Sequence, residues 1–318
     1  ELELPVPPGF VISTDACKAY MASGWPDGLD DELRQQMAHI ETQAGRRFGD
    51  LADPLLVSVR SGAPVSMPGM LDTILNLGLN ADTTAGLAAA SGDAAFAATC
   101  RERLEAMYRD IVGSDQLPED PWQQLRAAVE AVFRSWDSER ARSFREKEGI
   151  SAELGTAVVV QTMVFGNRGA DSGTGVLFTR NPATGENEPY GDVLFGAQGE
   201  DVVAGTHATE PIASLEERLP DVAVELRSHA DRLEHHYRDS CDIEVTIEDG
   251  RLWMLQNRIG KRTAQAAVRA AYEMAEDESF PLSRPEAIER VRDILADPPT
   301  VPAEKSGDVE VVAAGLAA

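Results

Sequence analysis

Two carboxylates, an amide and a guanidinium fall at two-residue intervals on either side of an Asp-Gly pair. Residues 242–258 read DIEVTIEDGRLWMLQNR, with Asp242 and Glu244 before Asp249-Gly250 and Gln256 and Arg258 after it. Such alternation suits half-buried strands, and Asp-Gly between two runs of it invites a hairpin. Loop length then decides which side chains share a face, because a slip of one residue reverses them all. A two-residue loop, Asp249-Gly250, sets Glu244 opposite Leu255 and turns charge toward the core. A three-residue loop, Glu248-Asp249-Gly250 with Gly250 left-handed, gathers Ile243, Val245, Ile247, Trp253 and Leu255 on one apolar face. Asp242, Glu244 and Gln256 then share the other face, Arg258 follows, and Leu252 and Met254 alone among the large apolar residues stay off the core. That register is the expected one. Asp242 lies opposite Gln256 in it, with Glu244 a diagonal neighbour at about 7–8 Å, within joint reach of one cation. Hard oxygen donors of this kind suit Mg²⁺, which keeps waters and bridges to substrate phosphates. The plainer reading is a half-exposed ribbon with a polar outer face, and the hairpin alone favours it.

The elements that must position this ribbon can be read from periodicity. Residues 4–12 (LPVPPGFVI) predict a proline-stiffened loop entering a short strand, with a helix over about 15–22. Leu33, Met37, Ile40, Ala44 and Phe48 recur at helical spacing within 30–48. Residues 55–59 (LLVSV) predict a buried strand ending at Arg60, followed by a Gly- and Pro-rich loop over 61–69 and a mixed apolar stretch over 71–79. From about 81 to 150 the chain reads as helical, with Trp122, Leu125, Val129, Val132, Phe133 and Trp136 on one face. Strands are expected at 156–165, 176–179 and 192–195, the second after the Gly-rich Ser172-Gly-Thr-Gly. A helix over about 220–237 sets Val222, Leu226, Leu233 and Tyr237 on one side, and the hairpin is followed by a last helix over about 263–276. Residues 297–307 (DPPTVPAEKSG) have linker composition. Strands mixed with helices, the helices grouped in the middle, imply an α+β or α/β fold with subdomains.

Charge narrows the partners. Fifty-four acidic residues against 29 basic ones give a net charge of −25 over 318 residues. A chain so acidic repels nucleic acid and anionic membrane, so neither is expected as a partner, and an anionic ligand needs a local cationic site. Of the basic residues only Lys18, Lys147, Lys261 and Lys305 are lysines. No apolar run approaches the roughly 18 residues of a membrane span, and no signal peptide is evident. Cys17, Cys100 and Cys241 are scattered and odd in number, which fits reduced thiols, a cytoplasmic setting and no structural zinc.

Longer motifs add a resemblance. VSVRSGAPVSMPGMLDTILNLGL (57–79), MVFGNRG (163–169), SGTGV (172–176), FTRNPATGE (178–186), AQGEDVVAG (197–205) and DIEVTIEDGRLWMLQNRIGKRTA (242–264) occur in this order. The set closely resembles the ATP-binding part of the pyruvate, phosphate dikinase family. Water dikinases share VRS but differ beyond it. The resemblance implies an ATP-grasp-type fold, with a first subdomain over 1–80, a helical insertion over 81–150, a second part over 151–296 that includes the hairpin 242–257, and a linker over 297–318 toward a phosphohistidine domain. It implies Mg²⁺, ATP as substrate and inorganic phosphate as a further partner. The β-phosphoryl of ATP would pass to a histidine on another domain, with AMP and pyrophosphate leaving, on the way to pyruvate/phosphoenolpyruvate interconversion.

Residue by residue, the resemblance implies that Arg60 binds ATP phosphates, a task suited to its planar, permanently charged fork. Ser66, Met67, Pro68, Gly69 and Met70 would cover the phosphates, and Glu244, Gln256 and Asp242 would hold the cation with Arg258 close by. Gln161 and Met163 fall where an adenine-lining strand is expected. Ser172-Gly-Thr-Gly is equally a second phosphate loop or a turn, and Gly199-Glu200-Asp201 would support the site. Against the family pattern, the Gly-rich segment and lysine that precede LPVPPGF are missing, the helical middle is shorter, and QNR stands for the usual QTR. The chain is therefore expected to be a fragment that binds ATP about 10- to 100-fold more weakly than a domain with that lysine. None of His39, His207, His229, His235 and His236 matches an acceptor motif. Homodimerisation through parent domains is a further expectation. The competing readings are an ATP-binding regulatory module without phosphoryl transfer and a related dikinase with another acceptor.

Overall fold

The computed structural model describes residues 2–63, 65, 67, 69–203 and 208–298. The chain divides into two compact units: Glu1–Leu177, Gly191–His229 and Ile243–Asn257 form the first, and Phe178–Tyr190, Ala230–Asp242 and Arg258–Ala318 the second. The segments 1–80 and 81–150 thus fall in one unit, and 151–296 is shared between both.

The strands are β1 (Gly9–Ile12), β2 (Arg47–Phe48), β3 (Pro54–Leu55), β4 (Val57–Gly62), β5 (Thr73–Leu77), β6 (Ala157–Thr162), β7 (Gly173–Phe178), β8 (Tyr190–Phe195), β9 (Glu210–Pro211), β10 (Cys241–Glu248) and β11 (Arg251–Ile259). The helices are α1 (Thr14–Ser23), α2 (Leu29–Ala44), α3 (Ala81–Ser91), α4 (Ala94–Val112), α5 (Pro121–Ser135), α6 (Glu139–Glu148), α7 (Gly199–Val203), α8 (Leu215–Arg218), α9 (Pro220–Tyr237), α10 (Ala264–Glu276), α11 (Arg284–Arg290) and α12 (Arg292–Ala296). The fold is mixed α and β, as expected.

In the first unit, β1, β6, β4 and β5 form an antiparallel sheet in that order. β6 joins β1 through Gly9↔Gln161 and β4 through Ser58↔Gln161. Gly9 is obligatory there, since a Cβ would lie 2.7 Å from Val160 O. The helical middle forms as its apolar spacing requires. In α5, Asp120 caps the Trp122 N–H, Pro121 occupies the first turn, and Leu125, Val129, Val132 and Phe133 are fully buried. These side chains meet Val57 and Val59 of β4 and Val158 and Val160 of β6 in one core. Burying a side chain of this size contributes about 1.5–3 kcal/mol, so the helices hold β4 in place.

The other sheet has the order β11-β10-β7-β8-β9. Ser172-Gly-Thr-Gly does not form a loop: Gly173 to Gly175 lie within β7. A Cβ on Gly173 would stand 3.0 Å from Leu194 O, and one on Gly175 3.0 Å from Asp192 O, so these glycines permit close strand packing. β11 is an edge strand, and the proline-rich N-terminal segment covers it, with Met254 N donating to Pro5 O at 2.8 Å.

The second unit has a core of its own, including Ala267, Ala271 and Met274 of α10, Phe280, Leu282, Ala287 of α11 and Val291. Helices α11 and α12 were not expected from apolar spacing, although the Ser283/Glu286 capping box that starts α11 was present in the sequence. Tyr237 is 47% exposed rather than packed with Val222, Leu226 and Leu233 of the same helix.

Candidate functional site: an arginine set against an acid-and-amide hairpin

Arg60 stands near the end of β4, paired with Val159 of β6 and Thr73 of β5. Its Nη2 donates to Glu244 Oε2 at 3.0 Å and to Gln256 Oε1 at 2.9 Å. The Arg60 and Glu244 side chains are only 20% and 27% exposed, so their charges are partly desolvated. Residues 184 positions apart in the chain are thus brought to one point inside the first unit. A cationic nitrogen occupies the place where two oxygen donors converge, which is the arrangement a bound cation would require.

The hairpin reaches this arrangement by a route the sequence reading did not take. β10 ends at Glu248 and β11 starts at Arg251, so the loop is the two-residue Asp249-Gly250. Both residues have positive φ, 49° and 75°, as in a primed turn whose twist matches the strands. The expected three-residue loop is therefore wrong. Leu252 and Met254 go into the core beside Ile243, Val245 and Ile247, while Trp253 and Leu255 are only partly buried. The Trp253 ring is covered by the Arg251 guanidinium at 4.0 Å. A regular ladder from this turn would leave Glu244 and Gln256 on opposite faces, yet both accept from one nitrogen. The returning strand therefore carries one extra residue before Gln256, as in a bulge. At the hairpin's open end Gly260 N donates to Ser240 O at 2.9 Å, one residue out of step with the turn, as that extra residue demands.

Asp242 belongs to the second unit, and Arg258 is its partner there: Arg258 Nε donates to Asp242 Oδ2 at 2.6 Å. Asp242 is 6% exposed and its Oδ1 has no hydrogen-bond partner. A buried carboxylate oxygen left unpaired is costly unless a ligand, a cation or water meets it. The expected opposition of Asp242 to Gln256 is thus replaced by Asp242 against Arg258.

Other expected site residues have structural partners. Met67 is buried and Met70 half-buried in a cluster with Trp136 and Ala141, which ties their loop to the corner between α5 and α6. Gly69 has φ 68° and nothing near its Cα on the side where a Cβ would stand. Ser66 and Pro68 lie outside the described residues. Gln161 is buried, and its Nε2 donates to Pro7 O at 3.1 Å, so its amide holds the entry to β1. Met163 is half-buried against the first unit's core. Ser172 accepts from Asp249 N at 2.9 Å and so steadies the hairpin turn. Asp201 takes Arg103 of α4 with both carboxylate oxygens, at 3.0 and 2.9 Å, binding α7 to the helical middle.

Several ionic contacts join residues that nothing in the local sequence pairs. Arg168 reaches Glu248 at 3.2 Å and Asp249 at 3.4 Å, clamping the turn. Burial pushes the Glu248 carboxyl up, against the opposing pull of Arg168. Arg140 pairs closely with Asp72, and burial raises the Asp72 carboxyl as well. These arginines were visible as residues, but their partners are 68 to 81 positions away, beyond what local spacing reveals.

Among the described residues no group of three or more His, Cys, Asp or Glu side chains forms a metal cluster. The donor set Glu244 and Gln256 therefore fits a cation only if most ligands come from elsewhere, as they do for Mg²⁺ carrying waters and phosphate oxygens. No described helix is long and apolar enough to cross a membrane.

A guanidinium on a strand end thus faces a carboxylate and an amide on a hairpin. Comparison with known proteins supplies the class. The profile of the pyruvate phosphate dikinase, AMP/ATP-binding domain family matches residues 22–220 and 214–279, and the chain belongs to that family. It is 46% identical to pyruvate, phosphate dikinase 1, chloroplastic, of Oryza sativa subsp. japonica, over 86% of this chain and 34% of that one. Pyruvate, phosphate dikinase of Clostridium symbiosum is 41% identical over 97% of this chain and 41% of its own length. The enzyme of Rhizobium meliloti is 43% identical, over 91% and 39%. The chain thus spans 34% to 41% of the length of these relatives. A solved D-alanyl-alanine synthetase A from Vibrio cholerae aligns with a TM-score of 0.37 and 10% identity, covering 93% of this chain and 61% of that one, a likeness too slight to argue from.

Proposed function

We propose that this chain is the ATP-utilising, ATP-grasp-type part of a pyruvate, phosphate dikinase, and that Arg60, Glu244 and Gln256 bind the polyphosphate and its Mg²⁺. The observation that carries this reading is the convergence of Glu244 Oε2 and Gln256 Oε1 on Arg60 Nη2, at 3.0 and 2.9 Å. On binding, Arg60 turns from the carboxylate to the phosphates, and Glu244 and Gln256 turn from the guanidinium to the cation. The loop bearing Gly69 covers the phosphates, and Met163 is the residue of its segment left to touch adenine. Phosphoryl transfer asks a protein mainly for positioning and charge neutralisation, which these groups supply. The acceptor is a histidine on another domain, and inorganic phosphate completes the reaction. The relatives named pyruvate, phosphate dikinase support this assignment.

The test is to mix the chain with a phosphohistidine domain from a relative, Mg²⁺, phosphate and ATP labelled at the β-phosphorus. Label should appear on the histidine and should depend on Arg60 and Glu244. Steady AMP formation with no labelled protein would point to another acceptor, and no nucleotide binding at all would refute the proposal.

A further inference from the structure

The segment between β6 and β7 is bonded to the tip of the hairpin, and all of these contacts lie inside the first unit. Arg168 Nη1 donates to Glu248 Oε1 at 3.2 Å, and its Nε stands 3.4 Å from Asp249 Oδ2. Asp249 N donates to Ser172 Oγ at 2.9 Å, and Gly250 N donates to Asp171 O at 2.9 Å. The Ser172 hydroxyl in turn donates to Arg168 O, and Arg168 N donates to Phe165 O at 3.3 Å. Phe165 is buried against Phe96 of α4, edge to face, with ring centroids 5.1 Å apart. At Gly166 a Cβ would lie 2.3 Å from Ala197 O and 2.7 Å from Gly173 O, so backbones meet there with no space between them. The segment leaves from β6, whose Val159 pairs with Arg60.

We propose that Arg168 is a positioning residue for Glu244 and Gln256, because it fixes the register of the hairpin against the strand that carries Arg60. This rests on the function proposed above and deepens it. Glu244 lies four residues before Glu248 on β10, about 13 Å along the strand, so Arg168 acts on it through the strand rather than by contact. An Asp-Gly pair is compatible with a two-residue turn and with a three-residue loop closed by a left-handed glycine. A one-residue change of register sends every side chain of a strand to the other face, which would take Gln256 away from Arg60. The Arg168 fork meets the last residue of β10 and the first residue of the turn together. In a three-residue loop Glu248 leaves β10, and the fork loses the strand-bound half of its grip. The pair adds little to stability, since burial pushes the Glu248 carboxyl up even with Arg168 beside it. What the planar fork supplies is a choice between registers. A merely structural clamp would instead cost stability and leave the affinity of the folded fraction alone.

The experiment compares the parent protein with the paired variant Arg168→Met/Glu248→Gln by thermal unfolding and by calorimetric titration with Mg·ATP, run well below both unfolding temperatures. The pair of substitutions removes one positive and one negative charge, so the net charge is unchanged and no carboxylate is left buried without its partner. The expected result is a folded protein whose Mg·ATP affinity is about tenfold lower. In a Gln256→Ala background the same pair of substitutions should cost about twofold or less, because the effect runs through Gln256. Equal affinity of the folded paired variant and the parent protein would overturn the positioning role while leaving the proposed function intact. So would a loss of the same size in both backgrounds. Should the paired variant fail to fold, Arg168→Gln takes its place under the same criteria. Absence of Mg·ATP binding by the parent protein would overturn both the positioning role and the proposed function.

Discussion

Replacing Glu244 with Gln separates two consequences of the Arg60–Glu244 pair that a simple loss of binding would merge. Glutamine has nearly the same shape and still offers an oxygen to Arg60 Nη2, which now stands 3.0 Å from Glu244 Oε2. Both side chains are less than a third exposed, so the charged bond exceeds a surface ion pair. A hydrogen bond to a charged group contributes about 1.5–3 kcal/mol, and a neutral one about 1 kcal/mol. Folding stability of Glu244→Gln should fall by about 1 kcal/mol, the difference between them. Mg·ATP loses the carboxylate's grip on the cation, worth about 1.5–3 kcal/mol, so its affinity should fall on the order of 10- to 100-fold. Free ATP should respond with the opposite sign. Arg60 no longer has to leave a carboxylate, and one negative charge near the phosphates is gone, so ATP in a metal chelator should bind about fivefold tighter. Calorimetric titration with and without Mg²⁺, at one pH and one ionic strength, reads both constants. Equal weakening of both forms would refute the exchange of partners, because it would mean that Glu244 only holds the fold. No change in either would remove Glu244 from the site.

Three further outcomes follow from the packing. Gly86→Ala in α3 should destabilise by about 1–3 kcal/mol in urea unfolding, although alanine favours helices, because its Cβ would fall 2.1 Å from Leu51 O. A stabilised variant would show that this approach of backbones is not present. Burial raises the folded pKa of Glu248, so its ionisation costs stability as pH rises from the unfolded value through the folded one. Relative to the parent protein, Glu248→Gln should therefore gain stability as pH rises through the raised titration of Glu248, and a difference that stays constant with pH would contradict the shift. Cys17, Cys100 and Cys241 are buried, and burial pushes Cys100 up to about 12, so a thiol reagent should label none of the three in the native chain and all of them after denaturation.

Much of the scaffold was legible in the sequence because it follows local rules. The apolar stripe from Leu125 to Phe133 and the Asp120 cap dictate α5 without outside help. The strand ending near Arg60 and the alternation of β10 were equally plain. Partners across the fold were not. Nothing near Gln161 in the sequence says that its amide will be used by Pro7, and nothing near Arg180 points to Glu234, which is 54 positions away. Ser172-Gly-Thr-Gly was ambiguous for a physical reason: glycine serves a loop that approaches a phosphate and a strand that approaches another strand equally well. Only the position of Leu194 O against Gly173 decides for the strand.

The hairpin shows why a correct grouping can come from an incorrect register. Charge must leave the core, and a longer loop is one way to meet that demand. The protein meets it by keeping the tight Asp249-Gly250 turn and adding a residue on the returning strand. The two solutions differ in which apolar residues are buried: the turn end packs Leu252 and Met254, leaving Trp253 to lie under Arg251. They differ as well in what faces Asp242, which is Arg258 rather than Gln256. A bulge costs ladder pairing and adds local twist, so it persists where it re-aims a side chain. Here the side chain re-aimed is Gln256, whose oxygen would otherwise point away from Arg60. Deleting Leu255 would restore a regular ladder in which Gln256, moved one place nearer the turn, lies directly opposite Glu244. Deletion should then keep Arg60 in contact with both, whereas deleting Asp249 should break the primed turn and lose that contact, a difference that a crystal structure of each variant would decide.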